Sequence, residues 1–320
     1  HASMASVNAW FIKKRSRAFA IFSMGAGGSG FTVFFLGYLV DRVGWRDTAF
    51  LAGIGIFVII IPLSLLLRHK PEQYGYLPDG ETQEDLFEGD DGDNDEAPAD
   101  SRKLTATDPY DFSVKESLRS FAFWMLILGT GARAFAMTSI VVHQVVYLTE
   151  VRDIPLVQAS AALGGMVSIS IIGRLGFGLL GDYVDKRHLL IGTILLQAVG
   201  VYILMTATTI GTVWIFVVVY GIAYGGAIPV YMAIIGEYFG RKNYATIRGF
   251  NQLFHVPTTV IGPVFAGWVY DTTGSYNFAF SIFIITMLIG VGFIFFAKKP
   301  EPPVRTPPDN ERRVSTPLSS

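Results

Sequence analysis

Cysteine is absent from the 320-residue chain, which excludes a disulfide framework, thiolate metal ligands and thiol nucleophiles. Charge is scarce: Asp, Glu, Lys and Arg make up 16% of the residues, against about 25% in soluble domains. The five histidines are scattered, without a zinc-type His/Glu or His/Cys spacing, and no Ser-His-Asp arrangement stands out. Neither a metal site, a cofactor nor an enzyme is therefore expected. The formal net charge of −1 names no class of partner, because the charges are segregated along the chain. No basic-then-apolar leader is visible: the chain opens His1-Ala2-Ser3, without a methionine. The expectation is a chain missing its natural N-terminus.

What the sequence has in abundance is apolar length. Hydrophobic residues make up 51% of the chain, and the mean hydropathy is +0.43. A helix needs roughly 20 mainly apolar residues to cross a bilayer. Eight segments satisfy that: Ala18–Val40, Thr48–Leu67, Phe121–Val142, Leu156–Leu180, Leu189–Ala207, Val213–Tyr238, Thr246–Tyr270 and Phe278–Ala297. Glycine and proline inside them are tolerated where neighbouring helices re-satisfy freed backbone groups. The expected fold is all-α and polytopic, with the lipid bilayer as its first partner. Nucleic acid is not among the expected partners.

Lysine and arginine sort unevenly between the two ends of these spans. Twenty fall on one side, from Lys13–Arg17 to Arg313, and three, Arg42, Arg46 and Arg152, on the other. Arg248 is counted with the first group, and Arg133 and Arg174 lie within spans. The positive-inside rule places the richer side, with the C-terminus, in the cytoplasm of a plasma (inner) membrane. The stretch 71–117 interrupts the apolar pattern, and its middle, Glu81–Asp100, is acidic and without helical periodicity, which predicts a solvated linker. The Pro-, Arg- and Ser-rich tail 298–320 is expected to be disordered.

Residues 173–187 carry the sharpest signal: Gly173-Arg174-Leu175-Gly176-Phe177-Gly178-Leu179-Leu180-Gly181-Asp182-Tyr183-Val184-Asp185-Lys186-Arg187. Glycines permit close helix approach, and a charged turn can lock and release a neighbouring helix end. The pattern resembles the loop motif of major facilitator superfamily transporters, with Gly178, Asp182, Lys186 and Arg187 in register and Asp185 where glycine is usual. Trp10-Phe11-Ile12-Lys13-Lys14-Arg15-Ser16-Arg17-Ala18 is similar to the turn before that family's fifth helix, and Gly44-Trp45-Arg46 to the link between its fifth and sixth. The resemblance implies eight of the usual twelve helices. Residues 1–70 would be the end of the N-terminal bundle, 71–117 a cytoplasmic linker, 118–297 the complete C-terminal six-helix bundle and 298–320 a tail. It also implies alternating access around a midplane site, with a small-molecule solute as the second partner.

Arg174 is the leading site candidate, because a cation inside a span faces a cavity or a partner. Its context, Ser170-Ile171-Ile172-Gly173-Arg174, resembles the eighth helix of monocarboxylate and oxalate–formate type transporters, where an arginine faces the anion. Ser170 stands where monocarboxylate carriers have an acid. A guanidinium without a built-in carboxylate suits a bidentate substrate carboxylate. The alternatives for Arg174 are snorkelling to the headgroups or pairing with Asp182. Arg133 and His143 share one span, ten residues and so about 80° short of whole turns apart. Arg133 either lines the central cavity or pairs with a carboxylate in the half that is expected to be missing. His143, near the outer end, is a gate, a solvated interface group, a proton-responsive group or a structural histidine. Tyr220 and Tyr224 share a face of a span that also carries Tyr231, Gly221, Gly225, Gly226 and Pro229, and that reads as a gating helix or as ordinary packing. Asn251 and His255 form a polar i, i+4 pair expected to face inward.

Gly25-Ala26-Gly27-Gly28-Ser29-Gly30 fits a dinucleotide-binding pattern to the letter, but sits inside an apolar run with no strand pattern before it, so helix packing is expected there. The functional expectation is a secondary transporter of a small organic anion such as a monocarboxylate, by symport with a co-transported proton or by antiport. The alternatives are a transporter of a neutral or cationic solute such as a sugar or drug, and a membrane receptor or assembly partner that binds without moving anything.

Overall fold

The computed structural model describes residues 2–66, 71–80 and 111–301. The acidic middle of the expected linker, Glu81–Asp100, and nearly all of the expected tail lie outside the described residues. Among those described, every long element is a helix and there is no strand. Backbone groups in hydrocarbon must be satisfied within the segment, and a helix does this for each apolar run on its own.

Three helices precede the gap: α1 (Ala2–Trp10), α2 (Arg15–Gly27) and α3 (Ser29–Leu66). A short α4 (Val114–Arg119), opened by a Ser113/Glu116 capping box, leads into six long helices. These are α5 (Phe121–Val146), α6 (Leu156–Leu180), α7 (Lys186–Thr206), α8 (Ile210–Phe239), α9 (Tyr244–Thr273) and α10 (Asn277–Phe296). Seven helical stretches in the described residues are long and apolar enough to cross a membrane. The expected span 18–40 is not one of them, because the helix breaks at Gly28, between α2 and α3. The glycine-rich Gly25–Gly30 falls at that break, and no strand precedes it. Gly44, at φ +82°, divides α3 at the expected Gly44-Trp45-Arg46 link. Pro229, Pro257 and Pro263 are all accommodated inside helices.

α8 is the hub of the six-helix bundle. It packs along both α6 and α7, while α5 packs along α9 and α10, and α10 closes the ring against α7. α2 lies against α6 and α8, so the first helices and the six-helix bundle share an interface. The second part of α3 stands apart, with Phe57, Ile59 and Leu65 respectively 67%, 60% and 82% exposed, a surface suited to lipid.

Where α6 crosses α8 the backbones touch. A Cβ on Gly173 would overlap the Ile222 carbonyl, and one on Gly225 would overlap the Ser170 carbonyl. Small residues permit this approach, which is how helices bind one another in lipid without a hydrophobic driving force.

Candidate functional site

The buried polar side chains of the bundle can be ordered by depth. Six helical turn-ends meet at one basic end, formed by Phe121, Leu180, Lys186, Phe239, Tyr244 and Phe296. Counting about 1.5 Å per residue from that end, Arg248 lies about 6 Å in, Arg174 about 9 Å, Tyr231 about 12 Å, His255 about 16 Å and Arg133 about 18 Å. Tyr224 and Tyr220 are deeper still. These candidates are therefore spread along a column of depths rather than gathered at one level.

One compact network joins α5, α8 and α9. The Tyr231 hydroxyl donates to Asn251 Oδ1, which also accepts from Arg248 Nη1 at 3.3 Å. The Arg248 guanidinium lies 4.7 Å from the Tyr231 ring centre, and the His255 ring stacks on Tyr231 at 5.7 Å. Thr130 sends its hydroxyl hydrogen to the Leu126 carbonyl, so it accepts from His255 Nε2 at 2.9 Å, and the imidazole takes the Nε2–H tautomer. Asn251 and His255 thus face inward together, as expected. Arg248 is a correction: counted as a loop charge, it is buried one turn inside α9. The signal was present, because the expected span Thr246–Tyr270 already contained it. Thr130 carried no sequence signal.

Arg133 is buried, and its Nε and Nη2 have no partner among the described residues. Its electrostatic neighbours are the hydroxyls of Tyr220, Tyr224 and Tyr231. Tyr220 is fully buried against Gly200 of α7, with an unpartnered hydroxyl among the described residues, while Tyr224 is half-buried. Arg174 is also buried, but turned toward α2: its Nη1 donates to the Ser23 carbonyl, and Nε has no partner among the described residues. It does not pair with Asp182.

His143 stands at the opposite end, away from this column. Its Nε2 faces the Pro263 carbonyl at 2.9 Å, which can only accept, so Nε2 carries the hydrogen and Nδ1 accepts from the Tyr276 hydroxyl at 3.0 Å. Both nitrogens are used in tying α5 to α9 and to the turn before α10, the geometry of a strut. Replacing His143 by alanine is expected to lower stability by about 1–2 kcal/mol. Thermal melting of the detergent-purified protein checks this, and an unchanged melting temperature would remove the strut.

The 173–187 motif spreads its residues over several partners at the basic end. Asp182 accepts from the Ser16 and Arg17 backbone amides at 3.1 and 3.4 Å, and from Arg17 Nε at 3.0 Å. It thereby caps α2 from outside, meeting both the open amides and the positive end of the helix. Gly178 and Gly181 make room, since a Cβ on Gly178 would overlap Ala20, and one on Gly181 would come 2.5 Å from Ser16 Oγ. Asp185 caps α7 by accepting from the Arg187 amide at 2.7 Å, a side-chain hydrogen bond that glycine cannot make. Lys186 pairs with Glu237 at the end of α8 at 2.6 Å, and Arg187 donates to the Phe295 carbonyl of α10 at 3.2 Å.

More ties cross between α1–α2 and α8. Asn8 Nδ2 donates to the Gly240 carbonyl at 3.2 Å, and Arg241 donates to the Ala9 carbonyl. Burial lowers the Arg15 guanidinium to about 10, opposed by Glu237, so it remains a cation at neutral pH. Asp79 accepts from the amides of Ile12, Lys13 and Lys14, and Asp111 from those of Arg241 and Lys242. Each described end of the 71–117 stretch is thereby fastened to one basic turn.

A polytopic helical chain whose glycine-spaced acidic turn caps a neighbouring helix points to one family, and its sequence matches the Major Facilitator Superfamily over residues 1–177 and 169–320. The chain belongs to the major facilitator superfamily. It is an integral, multi-pass membrane protein of a transporter family. It is also similar to an uncharacterized MFS-type transporter, YhjX, of Escherichia coli strain K12, at 24% identity over 245 residues. That similarity covers 75% of this chain and 54% of the relative, so the chain spans about half the length of the curated relative it matches.

Within this facilitator the Asp182 contact ties the end of α6 to the start of α2. The cysteine-free background makes it directly measurable: in a Ser16→Cys variant the thiol is buried and expected to react slowly with a membrane-impermeant maleimide. Adding Asp182→Ala is expected to speed labelling about fivefold, the effect of a lost helix cap of about 1 kcal/mol. Equal rates would mean that Asp182 does not hold the start of α2 in place.

Proposed function

We propose that the complete transporter moves a small organic anion of monocarboxylate size, by alternating access between two helical halves. In this reading α1–α3 belong to one half and α5–α10 form the other, with the basic end and the C-terminus in the cytoplasm. The observation that supports it is the charge of the interior. Arg133, Arg174 and Arg248 are buried, and each leaves a guanidinium nitrogen without a partner among the described residues. The carboxylates on the six long helices, Glu237 and Asp271, stand near helix ends, not in this column. Buried unmatched cations are costly, and an entering carboxylate offers the fork geometry that relieves the cost.

The same charge balance favours exchange over proton symport. An empty cavity holding unmatched guanidinium groups returns across the membrane poorly, whereas one loaded with a second anion returns well. No carboxylate among the described residues in the column is placed to carry a proton instead.

Purified protein in sealed vesicles tests this directly. Labelled monocarboxylate is expected to enter saturably, several-fold faster when the vesicles are preloaded with unlabelled carboxylate. Saturable flux of a neutral sugar that carboxylates do not inhibit would overturn the anion reading. Binding without any flux would replace transport by a receptor function.

A further inference from the structure

We propose that the slot between α1 and α2 is a binding site for one anionic phospholipid, with an acyl chain in the slot and the phosphate on Lys14 and Arg17. The inference rests on the membrane placement of the chain alone, not on the identity of any transported solute. A cavity of about 350 Å³ lies there, lined by Val7, Phe11, Ala18, Ile21 and Phe22 and edged by Lys14 and Arg17. The division of chemistry is what a lipid presents: an apolar floor, with cations gathered at one end only.

The positions fit as well. Lys14 precedes α2 at the basic end and is exposed, at headgroup level. Ile21 is 62% exposed two turns further along, so the slot opens sideways toward the acyl region. Arg17 uses Nε on Asp182 and Nη2 on the Tyr183 hydroxyl at 3.2 Å. A guanidinium has five donor hydrogens, so Nη1 is left to meet a phosphate oxygen. A zwitterionic headgroup brings its own ammonium to this cationic edge, whereas an anionic one is attracted without that opposition.

The test is native mass spectrometry of the full chain in mild detergent, incubated with equal amounts of palmitoyl-oleoyl phosphatidylglycerol and phosphatidylcholine. One phosphatidylglycerol per chain is expected to be retained in preference. Lys14→Gln, at an exposed position, is expected to reduce that retention about fivefold. Ala18→Trp, which fills the slot, is expected to abolish it while circular dichroism stays unchanged. Equal retention of the two lipids, or phosphatidylglycerol binding untouched by Lys14→Gln, overturns the proposal. Displacement by glycerol phosphate would mark a headgroup-only site and overturn it too. So would a retained mass equal to a second copy of the chain, which would make the slot a protein contact.

Discussion

Gly225→Val is expected to leave almost no monodisperse protein after detergent extraction. Ordinary overpacking costs about 1–3 kcal/mol because side chains and backbone can shift to relieve it. Here the new atoms meet the Ser170 carbonyl of α6, and the partner surface is backbone within an intact helix. Moving it means separating α6 from α8, which also removes the reciprocal contact of Gly173 with Ile222 and the seat of Gly221 on Met166. A suitable control sits on α6 itself: Gly164 has open space where a Cβ would go. Gly164→Val is expected to extract and elute like the parent, apart from a small propensity cost. Fluorescence-detected size-exclusion chromatography compares them in one experiment. A Gly225→Val protein as abundant and heat-stable as the Gly164→Val protein would show that this crossing is not a close one.

Much of this architecture could be read from the sequence because lipid imposes a local rule. Each crossing needs its own uninterrupted apolar run, and Leu156–Leu180 appears at the same bounds in sequence and structure. The break at Gly28 escaped that rule, since Ala18–Val40 is apolar throughout and hydropathy says nothing of where a helix ends. The 173–187 motif was legible as a motif, but not its partner. Asp182 meets Ser16 and Arg17 from 166 and 165 residues away, and no spacing encodes such a contact. His143 is similar: its two partners lie 120 and 133 residues on, so a strut and a proton-responsive group looked alike in the sequence. Arg248 was missed for the opposite reason. Charge counting assigns a cation near a span end to the loop, while burial and the Tyr231 ring place it inside.

Arg174→Lys is expected to lower carboxylate uptake by about 10²-fold, chiefly through a raised KM, with extraction and melting close to the parent. Lysine keeps the charge but not the planar fork, and losing a charge-assisted bidentate contact costs about 2–3 kcal/mol. The Ser23 carbonyl contact makes this substitution informative beyond affinity. Arg174 spends one donor on α2, and its Nε remains without a partner among the described residues. An anion bound at Arg174 would compete for this guanidinium with the Ser23 carbonyl, so binding would draw Arg174 away from α2 and loosen the contact between α6 and α2. Two measurements separate this from a purely mechanical role. If Arg174 only braces α2, Arg174→Lys should speed maleimide labelling of Ser16→Cys and leave KM unchanged. If it holds the anion, KM should rise, and carboxylate added to the parent protein should itself change the labelling rate, an effect that the variant loses. Unaltered uptake in the variant would remove Arg174 from the site and leave Arg133 and Arg248 as its cations.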